Sequence, residues 1–412
     1  MRTRDMTMKL VTPASVGICE QQLARVGEQL RRAYVGPGKL PGSITLVSRG
    51  TQTCYMDIAG YRDLERAQPM TEDTVFRLYS MSKPITSVAF MTLYERGLVA
   101  LEDPVERYIP AFRNLAVRKA GAFPAFETQP CQRPMIIRDL LRHTSGLTYD
   151  FLRESNIDYA YRKLQVGNPR PDYSLADMIE QLAQLPLEFS PGQHWNYSLA
   201  TDVLGYLIEI ISGQSLADFL EQTIFQPLGM VDTGFNIRPE QQLRFASCYQ
   251  HDKNKRLVIN DDGQDSQFRD RVFYSGGGGL LSTAGDYQRF CHMLISGGTL
   301  DEQRIIGSRT LDFMTENHLP GGVDLAQIAM GNFSETTYEG VGFGLGFATK
   351  VDPVANGYPT SRGSYFWSGL ASTLFWVDPV EELTVIFMSQ FMPASVFNIR
   401  AQLEAMIYAA LE

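Results

Sequence analysis

The chain has 412 residues, of which 44% are hydrophobic and 20% are charged, so it can bury one large core or two compact domains. Its formal net charge of −9 at pH 7 disfavours nucleic acid or an anionic membrane as the main partner. The five cysteines form no Cys-x-x-Cys pair, which disfavours a disulfide framework or a zinc site.

The N-terminal part of the chain alternates between helical and extended patterns. Apolar residues at helical spacing predict an amphipathic helix over residues 19–34, which a Gly-Pro-Gly segment ends. The β-type segments 44–48 and 53–59 flank a short turn and predict a hairpin. A further helix is expected to begin at Ser80 and to end at Gly97.

The middle of the chain is predicted to be mostly helical, with long loops. The helix candidates are residues 140–143, 175–185, 200–211 and 216–225. The stretches 113–134 and 252–272 are polar or irregular, and we expect surface loops there.

Strand patterns return near the C-terminus, before a closing helix predicted over residues 393–411. The late strand candidates are residues 344–349, 364–367, 372–377 and 383–388. Strands near both ends predict one sheet with an inserted helical domain. We therefore expect an α/β sheet domain formed by residues 1–75 and 275–412, a mostly helical domain of residues 76–274, and a site in the cleft between them.

The segment Ser80-Met81-Ser82-Lys83 is the most informative part of the sequence. Residues at i and i+3 share a helix face, so the Lys83 amine can reach the Ser80 hydroxyl and act as its base. Because proline is tolerated in the first turn of a helix, Pro84 places Ser80 at or just before a helix start. Free N–H groups there favour an oxyanion. The structural alternative is a capping serine followed by a solvated lysine.

Five further segments stand in order after Ser80: LLRHTSGL at 140–147, PGQHWNYS at 191–198, PLGM at 227–230, GGGGLLSTAGD at 276–286 and FWSGLA at 366–371. Together with Ser80 and Lys83, they resemble the serine β-lactamase and penicillin-binding-protein superfamily over nearly the whole chain. Within its class C-like branch, the sequence is most similar to the family VIII carboxylesterases and their acyltransferase relatives. The resemblance implies an α+β fold, an antiparallel sheet flanked by helices with an inserted mostly helical domain.

The resemblance also implies roles for individual residues. Ser80 would be the acyl-accepting nucleophile, Lys83 its proton partner, and Tyr197 a second acid and base. The backbone N–H groups of Ser80 and Leu370 would form the oxyanion hole. Which of Lys83 and Tyr197 acts as the base in acylation stays open, and His143 is expected to be structural.

Two positions depart from the β-lactamase pattern. Trp367, Ser368 and Gly369 stand where β-lactamases have Lys-Thr-Gly, and we expect these three residues to bind substrate. A tryptophan offers an apolar face, which suits a neutral ester better than an anionic lactam. Leu199 replaces the asparagine of the family's Tyr-x-Asn element, which leaves open how Lys83 is held.

The sequence therefore favours a serine carboxylesterase acting on a small, short-chain acyl ester, without a cofactor or a metal. An acyltransferase, or a β-lactamase or D-aminoacyl peptidase with weak cephalosporin hydrolysis, are alternatives on the same fold, and a catalytically silent binding protein is the non-enzyme alternative. No Gly-x-Ser-x-Gly or His-Glu-x-x-His motif occurs, which disfavours an α/β-hydrolase or a metallohydrolase. Residues 1–6 lead into no apolar segment, and no 18-residue apolar run occurs. We therefore expect a cytoplasmic protein without a membrane partner.

Overall fold

The computed structural model describes residues 8–331 and 338–412, so the N-terminal residues that bear on the expected location lie outside it. The α-helices of the described residues are α1 (Glu20–Leu30), α2 (Ser82–Glu95), α3 (Ile137–Leu141), α4 (Asn156–Leu164), α5 (Leu175–Leu182), α6 (Ala200–Ser212), α7 (Leu216–Leu220), α8 (Gln226–Leu228), α9 (Ala284–Ile295), α10 (Ser308–Thr315), α11 (Leu325–Ile328), α12 (Pro353–Asn356) and α13 (Ile399–Tyr408).

The strands are shorter and gather mainly near the two ends of the chain. They are β1 (Gly42–Arg49), β2 (Gln52–Asp63), β3 (Gln68–Pro69), β4 (Val75–Arg77), β5 (Ala116–Ala122), β6 (Ala125–Pro130), β7 (Cys248–His251), β8 (Leu257–Asp261), β9 (Leu281–Thr283), β10 (Thr299–Leu300), β11 (Gln303–Arg304), β12 (Val341–Phe343), β13 (Ala348–Lys350), β14 (Tyr365–Gly369), β15 (Thr373–Asp378), β16 (Leu383–Met388) and β17 (Phe391–Met392).

The main sheet has eight strands in the order β12-β13-β14-β15-β16-β1-β2-β3, and neighbouring strands pair antiparallel. It joins N-terminal and C-terminal segments of the chain, as the sequence predicted. Strands β14, β15 and β16 are buried along their whole length, which explains their continuous apolar and aromatic runs. The exact boundaries of the two expected domains stay a prediction.

Helices α1 and α9 cover opposite faces of this sheet. The backbone N–H of Gly27 in α1 donates to the Tyr55 hydroxyl of β2 at 3.0 Å. The Gln288 amide of α9 donates to the Ser48 hydroxyl of β1 at 2.9 Å. Tyr55 pairs with Val47, the neighbour of Ser48 in β1, and successive side chains of a strand point to opposite faces.

Helix α2 lies in the interior and carries the Ser80 motif at its N-terminal end. Every residue from Ser82 to Leu93 is buried, because α6 and α7 pack against this helix and other segments cover it. Such a helix needs small or apolar side chains on all its sides. Its polar residues Lys83, Thr86 and Thr92 donate hydrogen bonds to backbone carbonyls inside the protein.

The two stretches expected to be irregular contain strands. Strands β5 and β6 form a hairpin within residues 113–134. Strand β8 lies within residues 252–272 and pairs with β7, which precedes that stretch. The expectation of irregular loops was wrong there, because backbone pairing can form a ladder even where mostly exposed, polar side chains obscure the period-two pattern.

The predicted strand 344–349 is mostly a turn, because only its last two residues belong to a strand. Strand β12 ends at Phe343 and β13 begins at Ala348, because the chain turns between them. Gly346 has a φ of +99°, and a Cβ there would clash with the Ser87 hydroxyl of α2. The close approach of this turn to the buried helix therefore decides the break.

The predicted helices are present with different ends. The candidate at 140–143 is α3, which ends at Leu141, and the closing helix is limited to α13. Helix α9 was not predicted, although Thr283 caps it by accepting a hydrogen bond from the Asp286 N–H. Within the described ranges, no single helix is long and apolar enough to cross a membrane, and helical residues 200–212 and 216–228 pass that test only as a pair bent by 84°.

We predict that acid destabilises the protein through His292 of α9. Its Nε2 lies 3.0 Å from the Ser48 hydroxyl, and burial lowers the pKa of His292 from 6.5 to about 4. Between these values the unfolded chain binds a proton that the native protein does not, so the free energy of unfolding falls as the pH drops from 6.5 to 4. The loss attributable to His292 amounts to about 3 kcal/mol.

Urea unfolding of wild type and His292→Gln at pH 7 and pH 4.5 measures this effect. The substitution should reduce the loss of stability between the two pH values. His194→Gln is the matched control, because His194 is exposed. Equal losses in wild type and His292→Gln would contradict the prediction.

Candidate active site

Ser80 lies in a short 3₁₀ turn, Tyr79–Met81, that leads directly into α2. The expected position at a helix start is therefore correct. Tyr79, the preceding residue, has a φ of +44°, a left-handed conformation that costs about 1–2 kcal/mol for a residue with a Cβ. Its ring packs edge-on against Phe268 at 6.0 Å, which helps to hold this strained turn and hence the direction of the Ser80 side chain.

Lys83 and Tyr197 approach the Ser80 hydroxyl from two different elements. The Tyr197 hydroxyl donates to Ser80 Oγ at 2.6 Å, although the two residues are 117 positions apart in the chain. Lys83 Nζ, one turn along α2, donates to the same oxygen at the longer distance of 3.4 Å. The structure therefore brings together the three side chains that the sequence singled out.

The Lys83 and Tyr197 side chains are almost completely withdrawn from solvent. Lys83 is 2% exposed and Tyr197 is 1% exposed, whereas Ser80 retains 9%. The Lys83 ammonium lies 4.4 Å from the ring centroid of Tyr197 and 5.1 Å from that of Tyr149. Ser80 is thus the member of the group that a molecule from outside can reach, and its two partners act from a medium with little water.

The 140–147 motif positions Tyr197 through the residues on either side of it. The Asn196 N–H donates to the His143 carbonyl at 2.9 Å, and the Asn196 amide donates to the Leu147 carbonyl at 3.0 Å. His143 Nδ1 lies 3.1 Å from the Ser198 hydroxyl. These contacts fix the residues before and after Tyr197, whose ring lies 5.0 Å from the His143 ring.

His143 is buried, and its electrostatics suit a structural role. Burial, and secondarily the nearby Lys83 charge, lower the pKa of His143 well below 6.5. The imidazole is therefore neutral at physiological pH, and it packs beside Tyr197 with Trp195 and Phe343 at its edges. Its contacts reach the hydroxyl of Ser198 and aromatic rings rather than Ser80.

Of the three residues expected to bind substrate, Trp367 and Ser368 have side chains on opposite faces of β14, and Gly369 has no side chain. Trp367 is buried with its ring 5.6 Å from Tyr197 and 5.3 Å from Phe343. Ser368, the next residue, lines a cavity of about 270 Å³ together with Phe366. Successive side chains of a strand alternate between faces, so Trp367 and Ser368 cannot line the same wall of a pocket.

Gly369 brings the end of β14 against the turn that carries Ser80. A Cβ at this position would clash with the Leu78 carbonyl oxygen, two residues before Ser80. The Thr373 hydroxyl, opposite Gly369 in the ladder, donates to the same carbonyl at 3.3 Å. This close approach puts Leu370, the next residue, beside the Ser80 turn, where the expected oxyanion hole requires its N–H.

Three residues at the site were not assigned from the sequence. Tyr149 contributes an aromatic face to Lys83, and the Gly277 carbonyl accepts a hydrogen bond from Lys83 Nζ at 2.7 Å. Asp202 is buried, and its carboxylate accepts a hydrogen bond from the Gly277 N–H at 3.1 Å. A signal for Asp202 was present, since it is the only charged residue between positions 198 and 208.

Burial has the largest effect on the pKa of the Asp202 carboxyl. Burial raises its pKa above 3.8, while the Lys83 charge and the hydrogen bonds from Ser275 and Gly277 oppose that rise.

Across residues 8–331 and 338–412, no three histidine, cysteine, aspartate or glutamate side chains lie close enough together to hold a metal ion.

The chain is similar to known proteins over most of its length. A family profile described as Beta-lactamase matches residues 28–408. Esterase EstB of Burkholderia gladioli is 32% identical over 402 residues, which are 93% of this chain and 94% of that protein. An uncharacterized protein of Mycobacterium tuberculosis is 35% identical over 365 residues, 88% of each chain.

Solved structures have the same architecture. EstCE1, described as a hydrolase with promiscuous acyltransferase activity, superposes with a TM-score of 0.77 at 26% sequence identity. The match covers 95% of this chain and 98% of that one.

We predict that Gly369→Ala slows the reaction of Ser80 with a fluorophosphonate. The added methyl group meets the Leu78 carbonyl, so the end of β14 must move away from the turn that carries Ser80. A shift of about 1 Å in such a site costs about 100-fold in rate. Intact-protein mass spectrometry over time measures the rate constant of adduct formation.

Gly234→Ala is the matched control, because a Cβ there would enter open space and its φ is not positive. It should react at the wild-type rate. A wild-type rate for Gly369→Ala would show that the contact of β14 with the Ser80 turn does not control reactivity.

Proposed function

Because the chain belongs to the β-lactamase family, whose α+β fold it has, we propose that it is a serine carboxylesterase that hydrolyses short-chain acyl esters. The family membership confirms the resemblance seen in the motifs. Its similarity to esterases and acyltransferases supports a hydrolytic enzyme in general. The observation that carries the finer proposal is the 2.6 Å contact between the Tyr197 and Ser80 hydroxyls, with Lys83 beside them.

In the proposed acylation step, the buried pair of Tyr197 and Lys83 starts with one of its two groups deprotonated, as the tyrosinate or as the neutral amine. Ser80 Oγ attacks the acyl carbonyl carbon, and the Ser80 proton passes to that deprotonated group. The bond between Ser80 Oγ and the acyl carbon forms, and the bond from that carbon to the alcohol oxygen breaks. The leaving alkoxide takes the proton from the same pair and departs as the alcohol. Either Tyr197 or Lys83 can accept and return the proton, because each of them contacts Ser80 Oγ.

Deacylation repeats these steps with water as the nucleophile. Water attacks the acyl carbon and gives one proton to the Tyr197 and Lys83 pair. The bond from the acyl carbon to Ser80 Oγ then breaks, the pair returns the proton to Ser80 Oγ, and the carboxylic acid departs. In both steps the carbonyl oxygen becomes an oxyanion. We assign its stabilisation to the backbone N–H groups of Ser80 and Leu370, each worth about 3–4 kcal/mol in such sites.

The surroundings of Tyr197 favour a neutral ester over an anionic lactam. Trp367 occupies the position of the β-lactamase lysine and packs between the rings of Tyr197 and Phe343, where it brings no positive charge. Leu199, in place of the asparagine, contacts the segment around Gly167 instead of offering an amide to a substrate. These two features support an ester whose alcohol and acyl parts need no charged anchor.

Acyl transfer to an alcohol is the second candidate. It uses the same acyl-enzyme, with an alcohol in place of water in the second step. The similarity to EstCE1, a hydrolase described as having promiscuous acyltransferase activity, favours this candidate. The limited exposure of Ser80 agrees with it, because restricted access of water lengthens the life of an acyl-enzyme.

We predict that Ser80→Ala abolishes ester hydrolysis. Without the hydroxyl no acyl-enzyme forms, so the rate of p-nitrophenyl acetate hydrolysis should fall by about three orders of magnitude or more. Ser212→Ala, which removes a hydroxyl at the far end of α6, is the control and should keep the wild-type rate. Undiminished hydrolysis by Ser80→Ala would end the proposal.

We predict that Tyr197→Phe lowers kcat by about 100- to 10,000-fold while the protein stays folded. The substitution keeps the ring between its aromatic neighbours and removes only the hydroxyl that contacts Ser80. Steady-state kinetics with p-nitrophenyl acetate measures kcat. Tyr249→Phe tests whether loss of any buried tyrosine hydroxyl has this effect, since Tyr249 contacts the Leu64 N–H instead. Equal kcat values for both variants would contradict the assigned role.

A further inference from the structure

The side chain of Lys83 is held by a backbone carbonyl rather than by a side-chain amide. Its Nζ donates to the Gly277 carbonyl at 2.7 Å, a shorter contact than the 3.4 Å to Ser80 Oγ. Leu199, where the Tyr-x-Asn element has its asparagine, cannot hold the amine. The position of the Gly277 carbonyl therefore decides where the amine lies relative to the nucleophile.

The peptide group that joins Gly276 and Gly277 is fixed at both of its polar atoms. The Thr86 hydroxyl, one turn after Lys83 on α2, donates to the Gly276 carbonyl at 2.8 Å. Asp202 of α6 accepts from the Gly277 N–H at 3.1 Å. Two helices that pack against each other thus grip one peptide group between them.

Asp202 is itself fixed inside the protein. The Ser275 hydroxyl donates to Asp202 Oδ1 at 2.5 Å, the same oxygen that accepts from Gly277. No hydrogen bond reaches its second oxygen, Oδ2, from the described residues. A buried carboxylate with an oxygen left without a hydrogen bond is costly unless a positive charge lies near, and Lys83 is the charge that acts on this group.

The glycines are required for this arrangement. A Cβ on Gly276 would lie 2.9 Å from the Thr201 carbonyl, and a Cβ on Gly277 would clash with the Asp202 carboxylate. Gly276 and Gly277 therefore pack their backbone against α2 and α6. Only residues without a Cβ let the backbone come this close to Thr86 and Asp202.

We propose that Thr86 and Asp202 are positioning residues for the reaction of Ser80. They clamp the Gly276–Gly277 peptide, and this fixes where the next peptide group begins, so that its Gly277 carbonyl is aimed at Lys83. This inference rests on the proposed function. Neither residue contacts Ser80 in the structure, and both act through the backbone. The clamp takes over the task that the missing asparagine side chain would perform.

The clamp has a specific kinetic consequence. If the Gly277 carbonyl moves, the Lys83 amine loses its direction toward Ser80 Oγ, while the surfaces that contact an ester remain. The chemical step then slows without a change in ester binding, so kcat falls and KM does not. A displacement of about 1 Å corresponds to a loss of about 10- to 100-fold.

Thr86→Val tests this with the smallest change, since valine has the shape of threonine without the hydroxyl. We expect kcat for p-nitrophenyl acetate to fall about 10- to 100-fold, with KM within about twofold of wild type. Thr86→Ser, which keeps the hydroxyl, should restore most of kcat. Thr92→Val is the matched control on the same helix, because the Thr92 hydroxyl donates to Ala89 far from Ser80, and it should keep the wild-type kcat.

Asp202→Asn is an independent second variant, which keeps an oxygen acceptor for the Gly277 N–H and removes the charge. We expect a loss of kcat here as well, and a larger loss in Asp202→Ala, which removes both. The rate constant for Ser80 labelling by a fluorophosphonate should fall in parallel with kcat.

Wild-type kcat in a folded sample of either Thr86→Val or Asp202→Asn would overturn the inference, as would an equal loss in Thr92→Val. If Ser80→Ala is inactive while these two variants keep full activity, only the clamp is wrong. If Ser80→Ala keeps its activity, the proposed function itself is wrong, whatever the two clamp variants show. Thr86→Val and Asp202→Asn probe opposite ends of one peptide group, so a folded sample of either one decides the case.

Discussion

The structure depends on keeping one amine, that of Lys83, inside the protein beside a serine hydroxyl. A buried ammonium is unfavourable unless polar or aromatic groups replace the water it has lost. Here the Gly277 carbonyl, the Ser80 hydroxyl and the faces of Tyr149 and Tyr197 take that place.

The elements converge because α2 is buried along most of its length. Helix α6 and the glycine run cover one part of it, and β14 reaches its N-terminal turn through the close contact of Gly369 with Leu78. Sites on packed helices and strands hold reacting groups more closely than sites on loops. The same burial that makes α2 rigid also removes water from Lys83 and Tyr197, and this links the stability of the core to the chemistry of the site.

The residues that the sequence identified are those whose function follows from their chemical type and spacing. Ser80 and Lys83 share a helix face by the geometry of the helix alone, and Tyr197 was placed by a motif similar to that of known relatives. The sequence motifs did not identify Thr86 and Asp202, because a threonine in a helix and an aspartate after a motif can have many roles. Their proposed role depends on the Gly276–Gly277 peptide group, which begins 74 positions beyond Asp202. Only folding places this peptide group between the two side chains.

The sequence by itself predicted the α+β fold from its helical and extended patterns, and the order of its motifs identified the family through their resemblance to known relatives. It also indicated which strands form the sheet, although hairpins with polar or bent strands were missed. Tertiary structure alone decided that the Tyr197 and Ser80 oxygens lie 2.6 Å apart, that Trp367 and Ser368 face different sides of β14, and that a carbonyl holds Lys83. These are relations between distant segments, set by the packing of helices and strands, and no local pattern in a chain encodes a distance between two of its remote parts.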